Sequence, residues 1–121
     1  MDDRFLAYRI LSKIERDKAY SNITVDGVLK ENEATSTHFV CALVYGVLER
    51  KITIDYYLSI FLSQPIKKLN PQVLTILRMG VYQIKFMDKV PDSAAVNESV
   101  KLCKKVKCGF ASGLINSVLR K

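Results

Sequence analysis

Acidic side chains are scarce in the second half of this chain. Residues 61–121 hold three of them, Asp88, Asp92 and Glu98, against eleven Lys/Arg, a net of +8. Residues 1–60 hold nine Asp/Glu and eight Lys/Arg, a net of −1. Solubility is served well enough by interspersed charge of both signs. A one-sided shortage therefore points to a negative, extended partner, with nucleic acid the first candidate. Cysteine is sparse too: Cys41, Cys103 and Cys108 are an odd number without the spacing of a disulfide framework, and reduced thiols in the cytosol are the simplest account. The single histidine, His38, has no partners at metal-ligand spacing, and Cys103 and Cys108 have no further Cys or His close by to complete a zinc site. No run of eighteen apolar residues exists to span a membrane. The start, Met1-Asp2-Asp3-Arg4, is acidic where a secretory signal would be basic and then apolar. No repeat of solenoid length is visible.

What is abundant is apolar residues, 49% of the total. That is enough to build a core and too much for a disordered chain. At 121 residues the length reads as one domain. The apolar positions recur at helical spacing, with no clear period-2 stretch. Asp2 and Asp3 can cap a first helix whose stripe is Leu6, Ala7, Ile10, Leu11 and Ile14. After a break near residues 17–20, Ser21 or Asn22 can cap a short second helix. Thr35, Ser36 and Thr37 offer caps for a third helix over about 36–50, apolar on most sides and therefore buried. Thr53 can start a fourth, carrying Ile54, Tyr57, Leu58, Phe61 and Leu62. Asn70-Pro71 is a cap followed by proline at the first helical position, opening a fifth helix to about Met87. Gly80 within it permits a close neighbour. A sixth helix is expected over about 93–107 with Gly109 as its stop, and a seventh over about 110–120. The expectation is an all-α compact bundle of about seven short helices.

Four segments of this pattern resemble the NusB fold. They are Leu43-Val44-Tyr45-Gly46-Val47-Leu48-Glu49-Arg50, Ile76-Leu77-Arg78-Met79-Gly80-Val81-Tyr82-Gln83, Val90-Pro91-Asp92-Ser93-Ala94-Ala95-Val96-Asn97-Glu98 and Gly113-Leu114-Ile115-Asn116-Ser117-Val118-Leu119-Arg120. Each is weak alone; four in order over essentially the whole chain are specific. Two groups share the fold: the free-standing NusB antitermination factor, which binds a leader RNA with a small ribosomal protein, and the N-terminal domain of the RsmB-type (Sun, Fmu) methyltransferase, which modifies carbon 5 of a cytosine in small-subunit ribosomal RNA. Ala19-Tyr20-Ser21-Asn22 and the Leu119-Arg120 ending are closer to the second group. The resemblance thus implies a cytoplasmic RNA-binding domain from a longer enzyme, with its own catalytic domain or a ribosomal protein as protein partner and no membrane. It implies no chemistry for this piece, and a rival of another class is a pure protein-interaction bundle whose exposed apolar and basic surface meets a partner protein or its own catalytic domain. No Gly-rich turn follows a strand to hold S-adenosylmethionine, so that cofactor is expected only in a downstream domain. The cysteines follow Val40, Leu102 and Lys107, not the Pro or Thr that precede the family's nucleophiles.

Three sets of residues are candidates for RNA contact. Lys101, Lys104 and Lys105, with Lys107 near the helix end, form a phosphate-contacting ridge on the sixth helix, or else a solvated face complementing the helix dipole. Arg78, Tyr82 and Lys85 share the polar face expected on the fifth helix; a base could stack on Tyr82, or the tyrosine could close the edge of the core. Arg4, Arg9, Lys13 and Arg16 line the first helix, where the resemblance places part of the RNA surface; nearby acids could instead hold them in surface ion pairs. Lys67-Lys68 and Arg120-Lys121 could extend the field. The resemblance also gives Asn97-Glu98 and Asn116 a role in the fold, with Asn116 at least partly buried and hydrogen-bonded to backbone.

Overall fold

The computed structural model describes residues 2–18 and 20–120; Ala19 and Lys121, each part of a motif named above, lie outside the described residues, as does Met1. Among the described residues the regular structure is helical, without strands. The chain divides into two compact units, Met1–Glu49 and Arg50–Lys121.

The first unit holds α1 (Asp3–Asp17), α2 (Ser21–Glu31) and α3 (Thr37–Glu49). The Asp2 carboxylate caps α1 by accepting the Arg4 N–H at 3.0 Å. Leu6, Ala7, Tyr8, Ile10 and Leu11 are the buried side of α1, which packs on α2 and α3. Asp3 is spent on the fold: its two oxygens accept the N–H groups of Thr35 and Ser36 at 2.7 and 2.9 Å, tying the α2–α3 connection to the first turn of α1. Ser36 in turn accepts the Phe39 N–H at 3.1 Å and so caps α3. α2 starts without a side-chain cap. It is held by Thr24, Val25 and Val28, which are buried.

The second unit holds α4 (Lys51–Phe61), a 3₁₀ turn (Ile66–Lys68), α5 (Pro71–Phe86), α6 (Asp92–Lys105), a second 3₁₀ turn (Gly109–Ala111) and α7 (Ser112–Leu119). α4 begins two residues before the expected Thr53. The Asn70 cap on α5 is present, accepting the Gln72 and Val73 N–H groups at 2.8 and 3.3 Å. α5 is the centre of this unit and packs against α4, α6 and α7. Gly80 is where α7 comes closest: a Cβ there would lie 2.6 Å from Leu119 Cδ1 and 3.1 Å from Ser99 Oγ.

Three expectations are corrected. α5 has no continuous polar face, because Thr75, Arg78 and Gln83 are buried along with its apolar residues. Thr75 and Gln83 satisfy themselves on the helix, donating to the Pro71 and Met79 carbonyls. Arg78 finds its partner on α4. Secondly, Gly109 does not stop α6. The stop is Lys107, in the left-handed region at φ 67°. Its N–H donates to the Lys104 carbonyl and the Cys108 N–H to the Cys103 carbonyl, the paired bonds of a Schellman turn. Thirdly, Asn116 is exposed, and its side chain accepts from Arg120 Nε instead of bonding backbone. α7 turns Ile115, Val118 and Leu119 inward, which places Asn116 on the outer side.

Candidate nucleic-acid interface

α6 separates its side chains cleanly. Ala95, Val96, Ser99, Leu102 and Cys103 are buried. Lys101, Lys104 and Lys105 are exposed, at the i, i+3 and i+4 spacing that puts them on one face. Lys104 and Lys105 lie in the last turn, where the carbonyl end of the helix dipole favours cations. Lys101 has a carboxylate neighbour, Glu98, with 3.6 Å between Nζ and Oε2, and its own side chain stays 77% exposed. A pair that open contributes little. Lys104 and Lys107 have no carboxylate partner among the described residues. Exposed Lys67, Lys68, Lys89 and Arg120 belong to the same unit.

The fifth-helix candidates part company. The Arg78 guanidinium is a fork on Asp55 of α4: Nε donates to Oδ1 at 2.8 Å and Nη2 to Oδ2 at 2.9 Å, with 11% of the arginine side chain exposed. Such bidentate pairing fills the geometry that would otherwise grip a phosphate. Arg78 therefore holds α5 to α4 and is not a surface cation. Tyr82 is half-buried and packs on Phe86, ring centres 5.5 Å apart. Lys85 is exposed, with Nζ 5.2 Å from the centre of the Tyr57 ring. Phe86 also meets a cation that sequence reasoning passed over: the Arg50 guanidinium sits 4.4 Å from the Phe86 ring centre. That distance is well inside cation–π range. Its signal lay in a contact 36 residues apart, which no local spacing reports.

The first-helix candidates lie in the other unit. Arg9, Lys13 and Arg16 are exposed and Arg4 is half-buried. Arg4 lies over the Phe39 ring at 5.2 Å and Arg9 over the Phe5 ring at 6.0 Å. Arg16 donates to both oxygens of Asp17, at 3.0 and 3.4 Å, and this bond holds the Asp17 carboxyl below its usual range. Its charge is thus partly cancelled, while Arg9 and Lys13 remain exposed.

Burial pushes the Cys103 and Cys108 thiols up, away from the thiolate a nucleophile needs. Cys103 donates to the Cys108 carbonyl, and Cys108 to Gln72 Oε1 at 3.2 Å, so both are satisfied within the fold. No group of three His, Cys, Asp or Glu that could hold a metal occurs among the described residues. No helix among them is long and apolar enough to cross a membrane.

Comparison with known proteins decides the lineage, since the NusB family model matches residues 1–121. The chain belongs to the NusB family. Among curated members of its kin, a "Probable ribosomal RNA small subunit methyltransferase B" of Bacillus subtilis (strain 168) is 37% identical over 97% of this chain. The chain spans only 27% of that relative's length. A "Transcription antitermination protein NusB" of Listeria innocua is 33% identical over 90% of this chain and 80% of its own length. A crystal structure of antitermination factors NusB and NusE in complex with dsRNA has a chain that shares the fold, with a TM-score of 0.87 at 21% identity, covering 98% of this chain and 90% of that one.

Proposed function

We propose that residues 1–121 act as one NusB-like RNA-binding domain without catalytic activity, belonging to a small-subunit ribosomal RNA (cytosine-C5) methyltransferase. In this reading the domain positions the RNA for a separate catalytic domain that binds S-adenosylmethionine, and the exposed α6 lysines, extended by the other cations of the same unit, contact phosphates. The observation that carries it is the 37% identity across 97% of this chain to a methyltransferase of which the match occupies 27%. The cation surplus of residues 61–121 supports RNA as the ligand. The exposed α1 cations Arg9 and Lys13 are a second contact set; Arg4 contributes less because it is half-buried over Phe39, and Arg16 because it is paired with Asp17. Tyr82 and Lys85 rank below these, since Tyr82 is already stacked within the fold.

A second reading is a NusB antitermination factor binding leader RNA with a ribosomal protein. The Listeria innocua relative, matched over 80% of its length, favours it. Two experiments decide. Titration of 16S ribosomal RNA fragments against salt should give a slope of log K on log salt near −3 if about four phosphates of single-stranded RNA are neutralised. A flat slope refutes RNA binding. Reading the gene's frame past codon 121 should reveal a Gly-rich methyltransferase pattern; a stop codon there refutes the enzyme assignment and leaves the antitermination reading.

A further inference from the structure

The 3₁₀ turn Gly109–Ala111 joins the end of α6 to α7 and is tied down on both sides. Cys108 and Ala111 are buried. The Ala111 N–H donates to the Cys108 carbonyl at 2.9 Å, and the Ser112 hydroxyl donates to the Gly109 carbonyl at 2.8 Å. Between these anchors Phe110 is 77% exposed. Among the described residues it has no ring partner and no cation over its face. A phenyl ring in water forgoes the burial that would stabilise it, and this pinned turn holds it out.

The surroundings of the ring are cationic and open. Residues 99–121 hold six Lys/Arg and no Asp/Glu. The turn packs on α6. A Cβ on Gly109 would lie 3.8 Å from Lys104 Cγ, so the stem of that lysine runs beside the residue preceding Phe110. Lys107, the left-handed stop of α6, lies three residues before the ring and is exposed. A Cβ on Gly113, three residues after it, would meet nothing within 4 Å. A bare aromatic face among unopposed cations is what single-stranded nucleic acid uses: the ring takes the face of a base and the lysines take phosphates. A duplex keeps its base faces inside its own stack. A protein hot spot is ringed by contacts that exclude water, and solvated lysines and glycines do not supply them.

We propose that Phe110 is a stacking platform for one unpaired nucleobase, with Lys104 and Lys107 holding adjacent phosphates. This rests on the RNA reading and narrows it: the RNA at the end of α6 is single-stranded. A phenyl ring offers no hydrogen bond, so the platform accepts any of the four bases.

The test titrates residues 1–121 with an unpaired 16S ribosomal RNA fragment and with a blunt RNA duplex of the same length. Phe110→Ala should weaken single-strand binding about fivefold or more and leave duplex binding unchanged. It should keep the wild-type slope of log K on log salt, because no charge is removed, and the wild-type melting temperature, because the ring is exposed. Phe110→Trp should retain the affinity and supply the chain's only tryptophan, whose emission the single strand quenches and the duplex does not. If the wild type binds RNA with a steep salt slope but Phe110→Ala stays within about twofold of it, or loses strand and duplex equally, the platform is overturned and the RNA reading stands. RNA affinity kept while a protein partner is lost would make Phe110 a protein contact and overturn it too. A flat salt slope for the wild type overturns both.

Discussion

Replacing Arg78 by alanine separates two roles that the sequence alone runs together. The fork between Arg78 and Asp55 is short, bidentate and mostly out of water, with side-chain exposures of 11% and 25%. Hydrogen bonds to charged groups contribute about 1.5–3 kcal/mol net each. Removing one partner of a buried pair costs about 3–5 kcal/mol, because the other charge is stranded. Asp55 keeps a quarter of its surface in solvent, which places the cost near the lower end, about 3 kcal/mol. At about 2.1 cal/mol/K of unfolding entropy per residue, a chain of 121 residues should lose about 12 °C in Tm. Replacing both partners, as in Asp55→Leu with Arg78→Met, should recover most of that loss, since an apolar pair leaves no orphaned charge. The assays are urea unfolding and the salt dependence of RNA affinity on the same proteins. Arg78→Ala should unfold earlier in urea while its RNA salt slope, measured where it is folded, matches wild type. A loss under about 1 kcal/mol, or a slope shallower by the ~0.7 of one single-strand phosphate, would show that the fork is dispensable and the guanidinium is a ligand.

The surface set should behave in the opposite way. Lys101→Glu, Lys104→Glu and Lys105→Glu combined should flatten the salt slope by about 2 and leave Tm within a few degrees; unchanged RNA affinity would remove α6 from the interface. Asn70→Ala should cost about 1 kcal/mol by urea unfolding, because two N–H groups at the start of α5 lose their acceptor. The thiols Cys103 and Cys108 hold their protons more tightly folded than unfolded, because burial raises both. The folded state therefore keeps its full stability below the unfolded thiol pKa of about 8.5 and loses part of it as pH climbs from there through the raised folded values. Thermal melts from neutral pH upward should show a decline that Cys103→Ala with Cys108→Ala makes shallower. In native protein, iodoacetamide should label half-buried Cys41 before either.

The helices themselves were legible because their signals are local. Asp2, Ser36 and Asn70 are caps that act within three residues, and each does so in the structure. The buried stripe of α1 follows from spacing for Leu6, Ala7, Ile10 and Leu11, while Ile14 is only half-buried and Tyr8 is added because its ring, too, is covered. The failed reading of α5 depended on a distant partner. Arg78, Tyr82 and Lys85 keep helical register, so they read as one polar face; only the fold brings Asp55, 23 residues earlier, under the arginine. The exposed apolar residues of α4, Ile52, Tyr56 and Ile60, were passed over for a related reason. Ile54, Tyr57, Leu58 and Phe61 already make a complete stripe, and periodicity does not say which of two stripes will be covered. The α6 lysines are exposed as their spacing suggests, since a run of cations opposite small apolar residues leaves one orientation open.

Lys107 carries a consequence for engineering. Its backbone occupies a conformation that costs a side-chain-bearing residue roughly 1–2 kcal/mol and glycine almost nothing. Lys107→Gly would thus make a sturdier protein while deleting a cation at the end of the α6 ridge. Under the RNA assignment proposed above, firmness and electrostatic pull are traded against each other at a single residue, and a screen for thermostability would select the weaker RNA binder.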